Sequence, residues 1–165
     1  MESIQTKIRL KKKKKLMNII NHVFSMDETT INFSGDKNDT YFKVIENSFT
    51  SAISGKSNLS DEVKKMKGLS GRKFRVMINN LIKNFEDPKY LEIGSWLGAS
   101  ACSVCFNNKV NITCIDDWSQ NFSTNLDSKK IFKSNLKKFL NEDISPQIIE
   151  KDFRKVDFKK IKNVN

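Results

Sequence analysis

A chain of 165 residues with 38% hydrophobic content is long enough to bury the core of one domain, and no apolar run approaches the ~18 residues that a membrane-spanning helix needs. Its 30 Lys and Arg against 19 Asp and Glu leave a formal charge of +11, while three cysteines without a secretion signal exclude a disulfide framework and imply a reducing, cytoplasmic setting. The single histidine, His22, removes most Ser/His/Asp and Cys/His nucleophile schemes.

Residues 1–38 read as a basic, disordered tail. Lys7, Arg9 and Lys11 to Lys15 stand against Glu2 alone, which places more than half of the net charge in the first 16 residues. Such a run is usually solvated; nucleic acid is a possible partner through Lys11 to Lys15 but not the favoured one, because a composition rich in Lys, Asn and Ile throughout the chain inflates the charge by itself. Leu16 to Phe24 is broken by Asn18, Asn21 and His22, so it lacks the unbroken apolar core of a signal peptide.

Residues 39–87 read as a helical N-terminal segment. Phe42, Ile45, Phe49 and Ile53 recur at spacings of three and four after the capping candidates Asp39 and Thr40, which predicts a helix over about 41–54. A shorter helix begins at Ser60 and Asp61. Gly68 to Gly71 breaks the pattern, and Phe74, Ile78, Leu81, Ile82 and Phe85 then mark one face of a third helix that runs to Asp87 and Pro88.

Residues 88–165 alternate strand and helix. Tyr90 to Ile93 is a short apolar strand that meets Gly94, and Gly98 follows four residues later. A glycine at such a turn lets a ligand approach the backbone, but a nicotinamide dinucleotide site wants glycines at offsets of about 0, 2 and 5, which this turn lacks. Cys102 and Cys105 fall on the helix after the turn rather than on a zinc loop, and no metal is expected. Ile112 to Asp116 is a second strand ending in a carboxylate, 22 residues beyond Gly94, near the ~20-residue spacing of a ribose-binding acid. Alternation puts Asp116 on the side of Ile112 and Cys114 and Asp117 on the other; Asp116 is preferred as the ribose ligand, Asp117 is its rival, and Trp118 offers a flat wall for an adenine. A helix-capping role for Asp116 and packing roles for Trp96 and Trp118 are the plainer alternatives. Ile131, Phe132, Leu136, Phe139 and Leu140 mark an amphipathic helix leading to a third strand, Pro146 to Phe153. Repeated strand–helix units with short links predict an α/β fold with parallel strands ordered 3-2-1 and a ligand at their C-terminal edge.

Glu92, Gly94 and Gly98 together resemble motif I of the class I S-adenosylmethionine-dependent methyltransferases. Trp96 stands at the usual middle glycine, and the Gly94-Ser95-Trp96 turn is similar to one branch common in bacteria and phages. The resemblance covers about Gly68 to Phe158 and implies a Rossmann-like three-layer sandwich with helices on both faces. It further implies S-adenosyl-L-methionine as cofactor, held by Glu92, Gly94, Ser95, Trp96, Gly98, Asp116, Asp117, Trp118, Asp152 and Phe153. Asp152 would read the adenine amino group, with the Phe153 N–H facing the ring, although a solvated turn is the plainer role for Asp152. Ser70, Gly71 and Lys73 would meet the methionine carboxylate, unless Ser70 merely caps a helix. The chain ends before the fourth of the family's seven strands, so the methyl acceptor and catalytic residues are unknown and the 165 residues alone are expected to be inactive and prone to aggregate. A nucleic-acid-binding or scaffold module with a basic tail, and another nucleotide-cofactor enzyme of Rossmann type, are the alternatives.

Overall fold

The computed structural model describes residues 31–120, 122 and 126–161; Lys11 to Lys15 and His22 lie outside the described residues. From Gly35 onward the chain forms one compact unit in which the helical segment and the sheet share a core.

Helix α1 spans Thr40–Ile53, and Asp39 caps it by accepting from the Tyr41 and Phe42 amides at 2.7 and 3.1 Å. Helix α2, Asp61–Lys65, is capped by the Ser60 hydroxyl, which accepts from Val63 N at 3.2 Å. Helix α3 spans Arg72–Ile82. Its N-cap is Gly71, whereas the Ser70 hydroxyl accepts a hydrogen bond from Ser100 at 3.1 Å. Its buried face also differs from the apolar stripe in the sequence, because Phe74 is exposed while Arg75 and Asn79 are buried. Both polar side chains cap helix C-termini from inside. Arg75 Nη1 donates to Val63 O and Met66 O at 3.2 and 3.0 Å, and Asn79 Nδ2 donates to Ser103 O and Phe106 O, each at 2.8 Å. Burial and the nearby Arg72 both lower the Arg75 pKa.

Strand β1 (Lys89–Ile93) leads to α4 (Ala99–Cys105), β2 (Asn111–Ile115), α5 (Ser128–Phe139) and β3 (Gln147–Ile149). Two single 3₁₀ turns follow, Phe153–Lys155 and Phe158–Lys160. All pairing is parallel in the order β1-β2-β3, which is the expected 3-2-1 arrangement of a Rossmann-like α/β fold. The register aligns Tyr90 with Ile112 and Glu92 with Cys114. That face of the sheet packs Tyr90, Ile112 and Cys114 against Cys102, Cys105, Phe132 and Leu136 of α4 and α5. Tyr90 and Leu91 border a groove with Ile78, Leu81 and Phe85 near the end of α3, and Ile93 is exposed. The three thiols are free and buried, and burial pushes the Cys102 thiol up to about 12. No helix among the described residues is long and apolar enough to cross a membrane.

Candidate cofactor cleft

The three strands end at one level. Gly94 N donates to Ile115 O at 2.9 Å and Asp116 N to Ile149 O at 3.2 Å, so each ladder continues one residue past its strand. Beyond that line opens a cleft of about 380 Å³. Seven of the expected site residues line it: Gly94, Trp96, Asp116, Asp117, Trp118, Asp152 and Phe153.

Gly94 has φ +84°, and a Cβ placed on it would meet nothing within 4 Å, so its backbone borders open space. Gly98 has φ +82° for a different reason: its Cβ would come within 2.9 Å of the Phe132 ring, so this glycine lets α5 close on the turn. Asn135 of α5 secures the same turn by donating to Leu97 O at 2.8 Å.

Asp116 is the structural centre of the cleft wall. Its Oδ2 accepts from Trp96 N and its Oδ1 from Trp118 N, both at 2.7 Å. Trp118 Nε1 in turn donates to Trp96 O at 2.9 Å, which closes a clasp between the two loops. Both tryptophans hold left-handed backbone, φ +44° and +50°, a conformation that bulky residues rarely adopt. Asp116 thus spends one acceptor site on each oxygen holding strained backbone. Asp117 projects differently. It is exposed and accepts from Ser119 N and Oγ at 3.0 and 2.7 Å, which lowers its pKa; both bonds fall on Oδ1, and Oδ2 takes part in neither.

Asp152 is neither unpaired nor merely solvated. Arg154 grips it through Nε at 2.9 and 3.1 Å and Nη2 at 2.6 Å, while Arg154 N donates to Oδ1 at 3.0 Å. These bonds hold its carboxyl down at about 2. Phe153 stands exposed beside it.

Glu92, Ser95 and Gly98 do not line the cleft; all three are buried behind the turn. Burial pushes the Glu92 carboxyl up to about 7, against the opposing pull of the Ser95 and Tyr90 hydroxyls. Tyr90 donates to Glu92 Oε2 at 3.2 Å, whereas Glu92 Oε1, Ser95 Oγ and Trp96 Nε1 complete no hydrogen bond of normal geometry among the described residues. Ser70, Gly71 and Lys73 are also absent from the lining, although Leu69 reaches it. Lys151, Arg154 and Phe122 line the cleft too and had no assigned role; the first two flank Asp152, the one local signal that marks them. A larger groove of about 630 Å³ lies at the other end of the strands, where Asp87 pairs with Asn111 at 2.7 Å and Lys89 at 3.6 Å. It has no glycine turn.

Comparison with family models, with curated proteins and with solved structures returns no match to this chain.

Proposed function

We propose that the chain is the cofactor-binding portion of an S-adenosylmethionine-dependent methyltransferase, with the adenosyl group held in the cleft above β1, β2 and β3. The observation that carries this reading is the convergence of the Gly94 turn, the Asp116–Asp117 pair and Asp152–Phe153 on one cavity at the C-terminal edge of a parallel sheet. Ligand pockets run from about 300 Å³ upward, so the cleft is large enough for a nucleoside. The open space at Gly94 suits close backbone approach, and Asp117 Oδ2 offers an acceptor for a ribose hydroxyl. Phe153 supplies an exposed flat face for a base, and Trp118, packed on Phe132 at 5.2 Å between ring centroids, supplies a rigid one. When bound, the cofactor supplies an activated methyl group, and what the protein adds is position. Three free, buried thiols support a cytoplasmic setting.

Calorimetry with S-adenosylhomocysteine tests the reading. Saturable binding that Gly94→Val abolishes is expected, because a branched side chain at φ +84° would occupy the open space. Absence of heat from a folded sample, or displacement of the ligand by NAD, would overturn it.

A further inference from the structure

After β3 the chain repeats itself. Asp152-Phe153-Arg154-Lys155-Val156 is followed at once by Asp157-Phe158-Lys159-Lys160-Ile161: an acid, a phenylalanine, two cations and a β-branched apolar residue, twice over. The two copies fold alike. Each aspartate caps one 3₁₀ turn, Asp152 accepting from Arg154 N at 3.0 Å and Asp157 from Lys159 N at 3.2 Å. The backbone bonds repeat as well: Lys155 N to Asp152 O at 2.9 Å and Val156 N to Phe153 O at 3.1 Å are matched by Lys160 N to Asp157 O and Ile161 N to Phe158 O, both at 3.1 Å. Val156 and Ile161 are half-buried and anchor the turns. Phe153 and Phe158, the larger apolar groups, are 49% and 42% exposed. Two equivalent rings held outward by the same local fold are a repeated display rather than a packing accident.

The charges around them are uneven. Arg154 is committed to Asp152 and Lys160 reaches Asp157 at 3.8 Å, but Lys151, Lys155 and Lys159 make no ion pair among the described residues. Lys151–Ile161 carries five cations and two carboxylates, a net +3 within a chain of +11. Lys151, Phe153 and Arg154 also line the cleft, so one end of the repeat is its mouth.

We propose that Lys151–Ile161 is a docking track for single-stranded nucleic acid, with bases stacked on Phe153 and Phe158 and phosphates met by Lys151, Lys155 and Lys159. Flat rings alternating with free cations suit a polymer that alternates flat bases with anionic phosphates. A duplex keeps its base faces stacked and leaves the phenylalanines no partner. An acidic peptide satisfies the lysines but not the rings. A lipid bilayer would accept the rings, but it would press exposed Asp117 and Asp157 against anionic headgroups. Phe153 is shared with the cleft, and where a cofactor base occupies its face the track begins at Phe158, which lies outside the cleft lining, so the stacking test is placed on Phe158.

Fluorescence anisotropy of the full chain with a fluorescein-labelled oligothymidylate of about 20 nucleotides, between about 50 and 200 mM salt, is the test. Phe158→Ala should weaken binding about tenfold, in line with loss of one stacked base, and Phe158→Trp should not. Lys155→Gln with Lys159→Gln should reduce the slope of log affinity against log salt by about 1.4, which is two lost phosphate contacts. The duplex of the same sequence should bind more weakly. Lys11 to Lys15 are present in every variant, so binding through them alone would leave all these changes absent and overturn the proposal. Equal affinity for duplex and single strand would also overturn it, as would uptake by phosphatidylserine vesicles that depends on Phe158 while the oligonucleotide is ignored. Phe158 is exposed, so an unchanged thermal melt should accompany Phe158→Ala; if the melt falls, the lysine pair and the duplex comparison decide. Oligonucleotide binding without S-adenosylhomocysteine binding would refute the donor-site reading alone, and the converse would refute this one alone.

Discussion

Replacing Asp116 should damage the fold before it damages any ligand site. The carboxylate accepts two backbone amides at 2.7 Å, and a hydrogen bond to a charged group contributes about 1.5–3 kcal/mol. Asp116 is half-buried, so the lower end applies, which gives about 3 kcal/mol for Asp116→Ala and about half that for Asp116→Asn, whose amide has one acceptor oxygen. Relaxation of the two left-handed tryptophans, each strained by about 1–3 kcal/mol while the clasp holds it, offsets part of that loss, so about 3 kcal/mol is the upper limit for the Ala variant. Trp96 and Trp118 are the only tryptophans in the chain, so intrinsic fluorescence reports on the clasp itself during urea unfolding. The expected order of stability is wild type, then Asn, then Ala, with a red-shifted native emission in the Ala variant. An Ala variant within about 0.5 kcal/mol of wild type and with unchanged emission would show that the clasp carries no stability.

Two further outcomes follow from the residues behind the cleft. Glu92 is pushed up from 4.5 to about 7, so the folded state keeps a proton that the unfolded chain gives up above 4.5; its contribution to stability is full below pH 4.5 and is lost as pH rises through 7. Urea melts across that range should therefore show wild type losing stability relative to Glu92→Gln as pH rises, and parallel profiles would refute the burial argument. Gly98→Ala combines φ +82° with a Cβ 2.9 Å from Phe132, whereas Gly94→Ala carries a similar φ into open space. Thermal melts should place Gly98→Ala well below Gly94→Ala, the gap reflecting overpacking of about 1–3 kcal/mol.

The elements most legible in the sequence were those set by neighbours along the chain. Asp39 and Ser60 cap helices where a short polar side chain precedes a periodic apolar run, and the Gly94 turn follows an apolar strand. Strand order followed from the short links. The buried face of α3 was not legible, because periodicity counts apolar residues and Arg75 and Asn79 enter the core as caps for carbonyls 9 to 27 residues away. Of the expected site residues, those at strand ends reached the cleft, since a parallel sheet delivers every strand end to one edge. Glu92 did not, because in register with Cys114 it faces the helices.

The tryptophan at the middle position of the glycine motif is where sequence and geometry meet most closely. A glycine serves at such a position because it adopts positive φ without strain. Trp96 adopts positive φ too, at +44°, so the backbone path is kept while the residue that would make it easy is missing. What compensates is long-range: Asp116, 20 residues on, bonds the Trp96 amide, and Trp118, 22 residues on, bonds its carbonyl. Neither partner is near until β1 and β2 pair with Ile93 beside Ile115. The exchange also gives the turn a large ring, braced edge-on by Phe122 at 5.4 Å and lying under Lys67 at 5.9 Å, where a glycine would leave a bare loop. The acid at the end of β2 therefore does what a glycine would otherwise do, holding the turn in shape through the Trp96 and Trp118 amides.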